Sequence, residues 1–235
     1  MKLGVFSFNT EYTIRADELA IAAEERGFES VWFPEHTHIP ASRETAYPGG
    51  GPLPKEYIHM SDPFTSAAAA AVVTKTIKIG TGVCLVIEHD PLALAKTVAT
   101  IDRLSNGRFI LGVGAGWNAE EMENHGTPYA KRWKVLEERV KAMKALWTEE
   151  EASFHGDWVN FEKVWSYPKP VQKPHPPVII GTFGSKWGCQ RVADYAEGWI
   201  PIDGLMTSLD DSIADLHARL RENGRKPEDA PISMF

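Results

Sequence analysis

Cysteine is nearly missing from this sequence. Cys84 and Cys189 are the only two, far apart and in no C-x-x-C arrangement. That excludes a disulfide framework and a cysteine-built zinc signature, and it fits a reducing, cytoplasmic setting. No pair of histidines has the H-x-x-x-H spacing, so no metal is expected. Basic residues form no run or patch and the net charge is −7, so no nucleic-acid partner is expected. Long apolar runs are absent as well. The longest uncharged stretch, Pro63 to Thr74, is alanine-rich and far short of a bilayer span, so no membrane association is expected. The opening Met1-Lys2-Leu3-Gly4-Val5-Phe6 is too short in apolar length for a signal peptide, with Asn9 and Glu11 close behind. No repeat of 20–50 residues is visible, which excludes a solenoid.

What remains is ordinary globular material: 235 residues, 43% hydrophobic and 24% charged, enough for one sizeable core. The stretch Ile77 to Ile87 organises the chain. It is a β-rich apolar run, read as a strand buried on both faces. Gly80 and Gly82 interrupt it, and glycine inside a strand marks a bulge or a close approach. Glu88-His89-Asp90-Pro91 ends the run and a helical pattern follows.

The other segments repeat that plan. Leu3 to Phe8 reads as a first strand, and Thr13 to Arg26 as a helix stopped by Gly27. Ser30 to Pro34 is a second strand opening onto Glu35-His36-Thr37-His38. A long irregular segment, Ile39 to Ser61, holds Tyr47 and Tyr57 and reads as a substrate-side loop. Asp62-Pro63 and Asp90-Pro91 are both helix starts, aspartate as N-cap and proline at the first helical position. The second of these helices stops at Asn106-Gly107. Phe109 to Val113 is a fourth strand running into Gly114-Ala-Gly-Trp-Asn118. A helix begins near Arg132, with Leu136, Val140, Met143 and Trp147 as its buried stripe. The insertion 149–176 reads as a short hairpin, turning at Gly156-Asp157, then a proline-rich crossing. Val178 to Ile180 is a fifth strand ending in Gly181-Thr-Phe-Gly184, with a helix at 185–195. Gly198 to Pro201 is a sixth strand. Ser208 caps a helix lined by Leu209, Ile213, Leu216 and Leu220, and Pro231 to Phe235 reads as the start of a seventh strand.

Strand–helix alternation of this kind predicts a parallel α/β sheet in one domain, residues 1–235. A (β/α)₈ barrel and an open doubly wound sheet both satisfy it. Either way the chemistry belongs at the C-terminal ends of the strands. There, Glu35 and His36 pair a carboxylate with an imidazole, a candidate proton-transfer site; loop hydrogen bonding is the alternative use of that histidine. The loops 114–118 and 181–184 offer small residues that let backbone N–H groups approach phosphate oxygens, or tight turns alone. Trp117, inside a glycine loop, is a candidate pocket wall, whereas Trp133, Trp147 and Trp187 read as core and interface packing residues.

Four stretches carry a resemblance: Glu29-Ser-Val-Trp-Phe-Pro-Glu-His36, Ile79-Gly-Thr-Gly-Val83, the whole block from Pro91 to Trp117, and Asp194-Tyr-Ala-Glu-Gly-Trp199. Together they resemble the bacterial luciferase-like monooxygenase superfamily, and within it the deazaflavin (coenzyme F420)-dependent oxidoreductases. The resemblance implies a TIM-like barrel with a flavin or deazaflavin at its C-terminal face. It implies a non-proline cis peptide at Gly82-Val83 backing the ring. It puts the acid–histidine pair on Glu35 and His36. It puts phosphate contacts on Gly114, Gly116, Trp117 and Asn118, and on Gly181, Thr182, Phe183 and Gly184. The implied activity is hydride transfer between F420 and a small organic substrate, with FMN-dependent monooxygenation as the alternative and a non-catalytic flavin binder as a second one. A homodimer is implied too. The barrel is expected to be incomplete here, the natural chain continuing past Phe235 or a partner covering the gap.

Overall fold

The computed structural model describes residues 2–202 and 208–234. Six strands form one parallel sheet: β1 (Gly4–Phe6), β2 (Ser30–Phe33), β3 (Lys78–Thr81), β4 (Phe109–Val113), β7 (Val178–Thr182) and β8 (Gly198–Pro201), in the spatial order β1-β2-β3-β4-β7-β8. Between them run α1 (Ala16–Glu25), α2 (Pro63–Val73), α3 (Pro91–Leu104), α4 (Ala119–Asn124), α5 (Arg132–Thr148) and α6 (Lys186–Tyr195), and α7 (Leu209–Glu222) follows β8. The register is regular, with Val31 beside Ile79, Ile79 beside Phe109, and Val113 beside Ile180.

Side-chain alternation divides the sheet into two environments. Val31, Phe33, Ile79, Leu111, Val113 and Ile180 face the helices and form the main core with Leu94, Val98, Leu136 and Val140. Trp32, Ile179 and Ile200 point the other way and cluster with Phe6, Val83 and Ile110. Trp32 and Ile179 belong to β2 and β7, three steps apart in the sheet, about 14 Å if it were flat. Their membership of one packed cluster, with Ile200 of β8, requires the sheet to curl, so the strands form a half-barrel with this smaller cluster as its lining. Gly80 is small for that reason: a Cβ there would collide with the Trp32 ring.

The helix signals act as the sequence implies. Asp62 accepts from Thr65 N at 2.6 Å and Asp90 from Ala93 N at 2.9 Å, each with proline in the first turn. Ser185 and Ser208 cap α6 and α7 the same way. α3 stops where Asn106 and Gly107 take φ of 54° and 80°, a left-handed pair that only such residues adopt readily. The insertion is the expected hairpin, β5 (Ala152–His155) antiparallel to β6 (Asn160–Val164). Glu138 of α5 accepts from the N–H groups of Asp157, Trp158 and Val159 and pins its turn.

The elements depart from expectation at two places. The stretch 77–87 is not one strand: it leaves the ladder after Thr81, rejoins only through a bridge between Cys84 and Val113, and tightens into a 3₁₀ turn at Val86–Glu88. A continuous apolar run reports burial, and burial here continues after the ladder ends. α4 was not foreseen, because Ala119-Glu-Glu-Met-Glu-Asn124 has no apolar stripe. Trp147 is buried in the core and donates to Ala95 O, whereas Trp187 is 68% exposed and lies outside the core. The expected start of a seventh strand is present as a parallel bridge of Ile232 to Trp199 of β8; its last residue, Phe235, lies outside the described residues.

Candidate functional site

β2 delivers Phe33-Pro34-Glu35-His36 to the C-terminal end of the sheet, and the two acid–base residues then part company. Glu35 turns inward, 3% exposed. It accepts from Leu85 N at 2.6 Å and meets His89 Nε2 at 2.8 Å. Its histidine partner is therefore His89 and not His36. His36 instead places Nδ1 2.7 Å from Glu121 Oε2, a residue of α4. Sequence reasoning passed over both His89 and Glu121. They lie 54 and 85 residues from their partners, so no local spacing could point to them.

Aromatic rings enclose His36. Tyr57 and Trp117 lie 5.2 and 5.7 Å from it, centroid to centroid, and Tyr47 packs on both. Phe8, at the end of β1, continues the wall to Tyr57. The irregular segment 39–61 thus folds over the strand ends. Arg43 places its guanidinium 5.8 Å from the Trp117 ring, and Glu120 holds the segment's backbone by accepting from Glu44 N and Thr45 N. The Thr45 side chain first, then the Glu44 N–H, bring the Glu120 carboxyl down to about 2. Burial, then Tyr47, pushes the Tyr57 hydroxyl well above its usual range, so that phenol stays a neutral hydrogen-bonding group.

The Gly82-Val83 peptide is cis. Val83 projects among the half-barrel lining, and its methyl groups sit over two glycines: a Cβ on Gly114 would approach Val83 Cγ2 to 2.6 Å and one on Gly181 would approach Cγ1 to 3.0 Å. These glycines of the two expected phosphate loops are therefore small because Val83 packs on them. Gly116 has φ of 66° and turns the chain toward α4. Asn118 caps that helix, its side chain accepting from Glu121 N at 3.4 Å. The first turn of α4 already holds Glu120 and Glu121, so 114–118 is an unfavourable setting for phosphate. α6 differs: its first turn holds no acid, Ser185 caps it, and Lys186 opens it. Thr182 is buried beneath, accepting from Trp199 Nε1 at its carbonyl, while Phe183 is exposed and Gly184 O accepts from the Ser212 hydroxyl.

A third carboxylate completes the cluster. Glu88 is buried, and burial, helped by the charges of Glu121 and Glu35, pushes its carboxyl up to about 9. Thr37 Oγ1 donates to it at 3.5 Å and also bridges His38 and His125 at 2.9 and 3.0 Å, leading to the surface. Burial pulls His125 down, whereas for His89 the Glu35 contact outweighs burial and raises it. Ligand atoms of Glu35, Cys84 and His89 all lie within 4.8 Å of one another. Glu35 already serves two donors there, and burial, then Glu35, holds the Cys84 thiol far from ionising, so the trio reads as a hydrogen-bonded unit. Among the described residues no helix is long and apolar enough to cross a membrane.

A profile of the luciferase-like monooxygenase family matches residues 1–235. An uncharacterized protein of Mycobacterium tuberculosis is 44% identical over 203 residues, 85% of this chain and 72% of that protein. An FMNH(2)-dependent dimethylsulfone monooxygenase of Pseudomonas putida is 33% identical over 57% of this chain, which spans 38% of its length. Among solved structures, the monooxygenase RslO1 of Streptomyces bottropensis superposes with a TM-score of 0.84 at 25% identity, covering 100% of this chain and 70% of that one. An F420-dependent secondary alcohol dehydrogenase, in complex with an F420-acetone adduct, gives 0.76 at 24% identity, covering 99% and 68%. The fold of the half-barrel is thus that of these enzymes.

Proposed function

The chain belongs to the luciferase-like monooxygenase family, and from that premise we propose that it is an oxidoreductase moving hydride between coenzyme F420 and a small organic substrate. FMN-dependent monooxygenation is the alternative, favoured by the dimethylsulfone monooxygenase relative. One observation carries the reading: a buried imidazole, His36, stands among aromatic rings beyond the end of β2, held by a carboxylate at 2.7 Å. That is the placement and chemistry of a proton-transfer group.

The residues fit a flavin-type cofactor. Val83 provides an apolar platform at the ends of β4 and β7 against which a flat ring can rest. The N-terminus of α6, with Ser185, Lys186 and no acid in its first turn, suits a phosphate. We assign the phosphate there, with Gly181, Thr182, Phe183 and Gly184, and give Gly114, Gly116, Trp117 and Asn118 the work of shaping the wall. When bound, the cofactor supplies the hydride chemistry. His36 gives or takes the substrate's proton at Nε2. Tyr47, Tyr57 and Trp117 keep water from the pocket, and Arg43 holds the covering segment on Trp117. Glu35 supports the turn after β3 through Leu85 N and His89.

Titration of the purified protein with F420 and with FMN tests the assignment. Tighter F420 binding and oxygen-independent turnover are expected. Tighter FMN binding with oxygen-dependent turnover overturns the cofactor choice and leaves the pocket intact. Binding of either without turnover favours a non-catalytic flavin binder. A homodimer is part of the same reading: α2 is apolar all round, and Val72, Val73 and Leu104 leave its seam with α3 exposed. Sedimentation equilibrium giving a monomer would remove it.

A further inference from the structure

Glu121 makes a close polar contact to His36, Oε2 to Nδ1 at 2.7 Å. The pair is enclosed: the His36 side chain is 7% exposed and that of Glu121 1%. A charge-assisted hydrogen bond is strong in such surroundings. A carboxylate oxygen accepts and does not donate, so His36 Nδ1 carries the hydrogen and Nε2 carries the lone pair. The tilted rings of Tyr57 and Trp117 limit reorientation of the imidazole.

Glu121 is itself held. It sits on α4, where Asn118 accepts its N–H. Its neighbour Glu120 ties the same helix to the backbone of Glu44 and Thr45 in the segment covering the pocket. Adjacent glutamates on one short helix thus divide the work, one reaching the covering segment and the other His36. The remaining carboxylates are engaged elsewhere. Glu35 serves Leu85 N and His89, and Glu88, kept as the acid by burial and by its charged neighbours, serves Thr37. Among the described residues Glu121 Oε1 has no hydrogen-bond partner. Leaving one oxygen of a buried carboxylate unpaired is costly. A group placed at that cost solely for packing would be better served by an apolar side chain.

We infer that Glu121 is a positioning residue, fixing His36 as the Nδ1–H tautomer so that Nε2 is the atom that exchanges protons in the pocket. This rests on the proton-transfer role proposed for His36. The test needs no substrate. In protein labelled with ¹⁵N-histidine, long-range ¹H–¹⁵N spectra report which ring nitrogen bears hydrogen, and the His36 signal is identified by its loss in His36→Ala. The hydrogen bond is expected to bias His36 toward Nδ1–H by about 10–10²-fold. In Glu121→Ala the bias should vanish. In Glu121→Gln the amide oxygen still accepts, so the bias should largely return. His36 found with hydrogen on Nε2 in the intact protein, or an unchanged tautomer in Glu121→Ala, overturns the inference. Should Glu121→Ala fail to fold, the intact protein and Glu121→Gln decide. Unchanged turnover in His36→Ala with the Nδ1–H signature present would instead sink the proton-transfer role and leave the tautomer assignment standing.

Discussion

Two polar clusters lie at opposite ends of one sheet, and they are built on opposite terms. At the N-terminal end, Arg108 directs every guanidinium donor to a partner: Nε to Ser105 O, Nη1 to Thr74 Oγ1 and Ile77 O, and Nη2 to Ala71 O and Thr74 O. Beside it Glu24 accepts from three successive N–H groups, those of Lys75, Thr76 and Ile77. Asp102, fully buried, takes Val171 N, Gln172 N and Gln172 Nε2. At the C-terminal end, carboxylates crowd one another. Glu88 is held as the acid, and among the described residues one oxygen of Glu121 has no partner and the amide nitrogen of Asn118 no acceptor. The first cluster satisfies the backbone and stabilises the fold. The second is under-satisfied, as sites that must meet a ligand or move a proton commonly are. This matches the division of labour in barrel folds between a stabilising end and a chemical end.

The division breaks most visibly at His36. His36→Ala should lower turnover by about 10²–10⁴-fold while cofactor affinity and the melting temperature barely move. Paired binding titrations and steady-state rates measure the two. An equal loss of stability would place His36 with the structural residues.

Arg108→Ala is the mirror experiment. It strands the carbonyls at the end of α2 and the start of β3, and the expected cost is about 2–4 kcal/mol of unfolding free energy. Urea titration measures that loss, and turnover well below the melting temperature should be unchanged. A turnover defect without a stability defect would dissolve the contrast.

Most of the fold was legible because its determinants are local, whereas the N-terminal cluster was not, since its bonds to Glu24 and Asp102 span 51 to 70 residues. Asp62-Pro63, Asp90-Pro91 and Asn106-Gly107 start or stop helices through residues one to three positions away. Position at a strand end was enough to single out His36. Its partner was not legible, since Glu121 comes from a six-residue helix without an apolar stripe. Nor was Glu88, which looked like the end of a strand and proved to close a 3₁₀ turn against Thr37. The glycines of 114–116 and 181–184 suggested phosphate on composition alone. Only the packed Val83 side chain and the acids of α4 separate one loop from the other.

Acid–base titration of stability sharpens the contrast further, because the two clusters slope in opposite directions. The Glu88 carboxyl is raised from 4.5 to about 9 in the fold. Its contribution is fully present below about 4.5 and is lost as pH climbs toward 9. Glu88→Gln cannot ionise. The variant should match the intact protein near pH 5 and gain on it, by about 1–3 kcal/mol, as pH approaches 9. Parallel stability curves for the two proteins between those limits would mean that Glu88 is not held as the acid.

Glu24 gives the smallest effect and the opposite sign. Burial alone would raise its carboxyl, but the N–H groups of Ile77, Thr76 and Lys75 outweigh burial and lower it from 4.5 to about 2. Its contribution is therefore present above about 4.5 and disappears as pH falls toward 2. Glu24→Gln should cost about 1 kcal/mol near neutrality, the figure reduced because the side chain is partly exposed and screened by solvent. The gap between variant and intact protein should then close on acidification, while the gap produced by Glu88→Gln opens on the alkaline side. Chemical denaturation at pH 3, 5, 7 and 9 on the two variants reads both slopes in one series. If Glu24→Gln were instead to lose stability most steeply above pH 5, the N-terminal cluster would be no better satisfied than the C-terminal one.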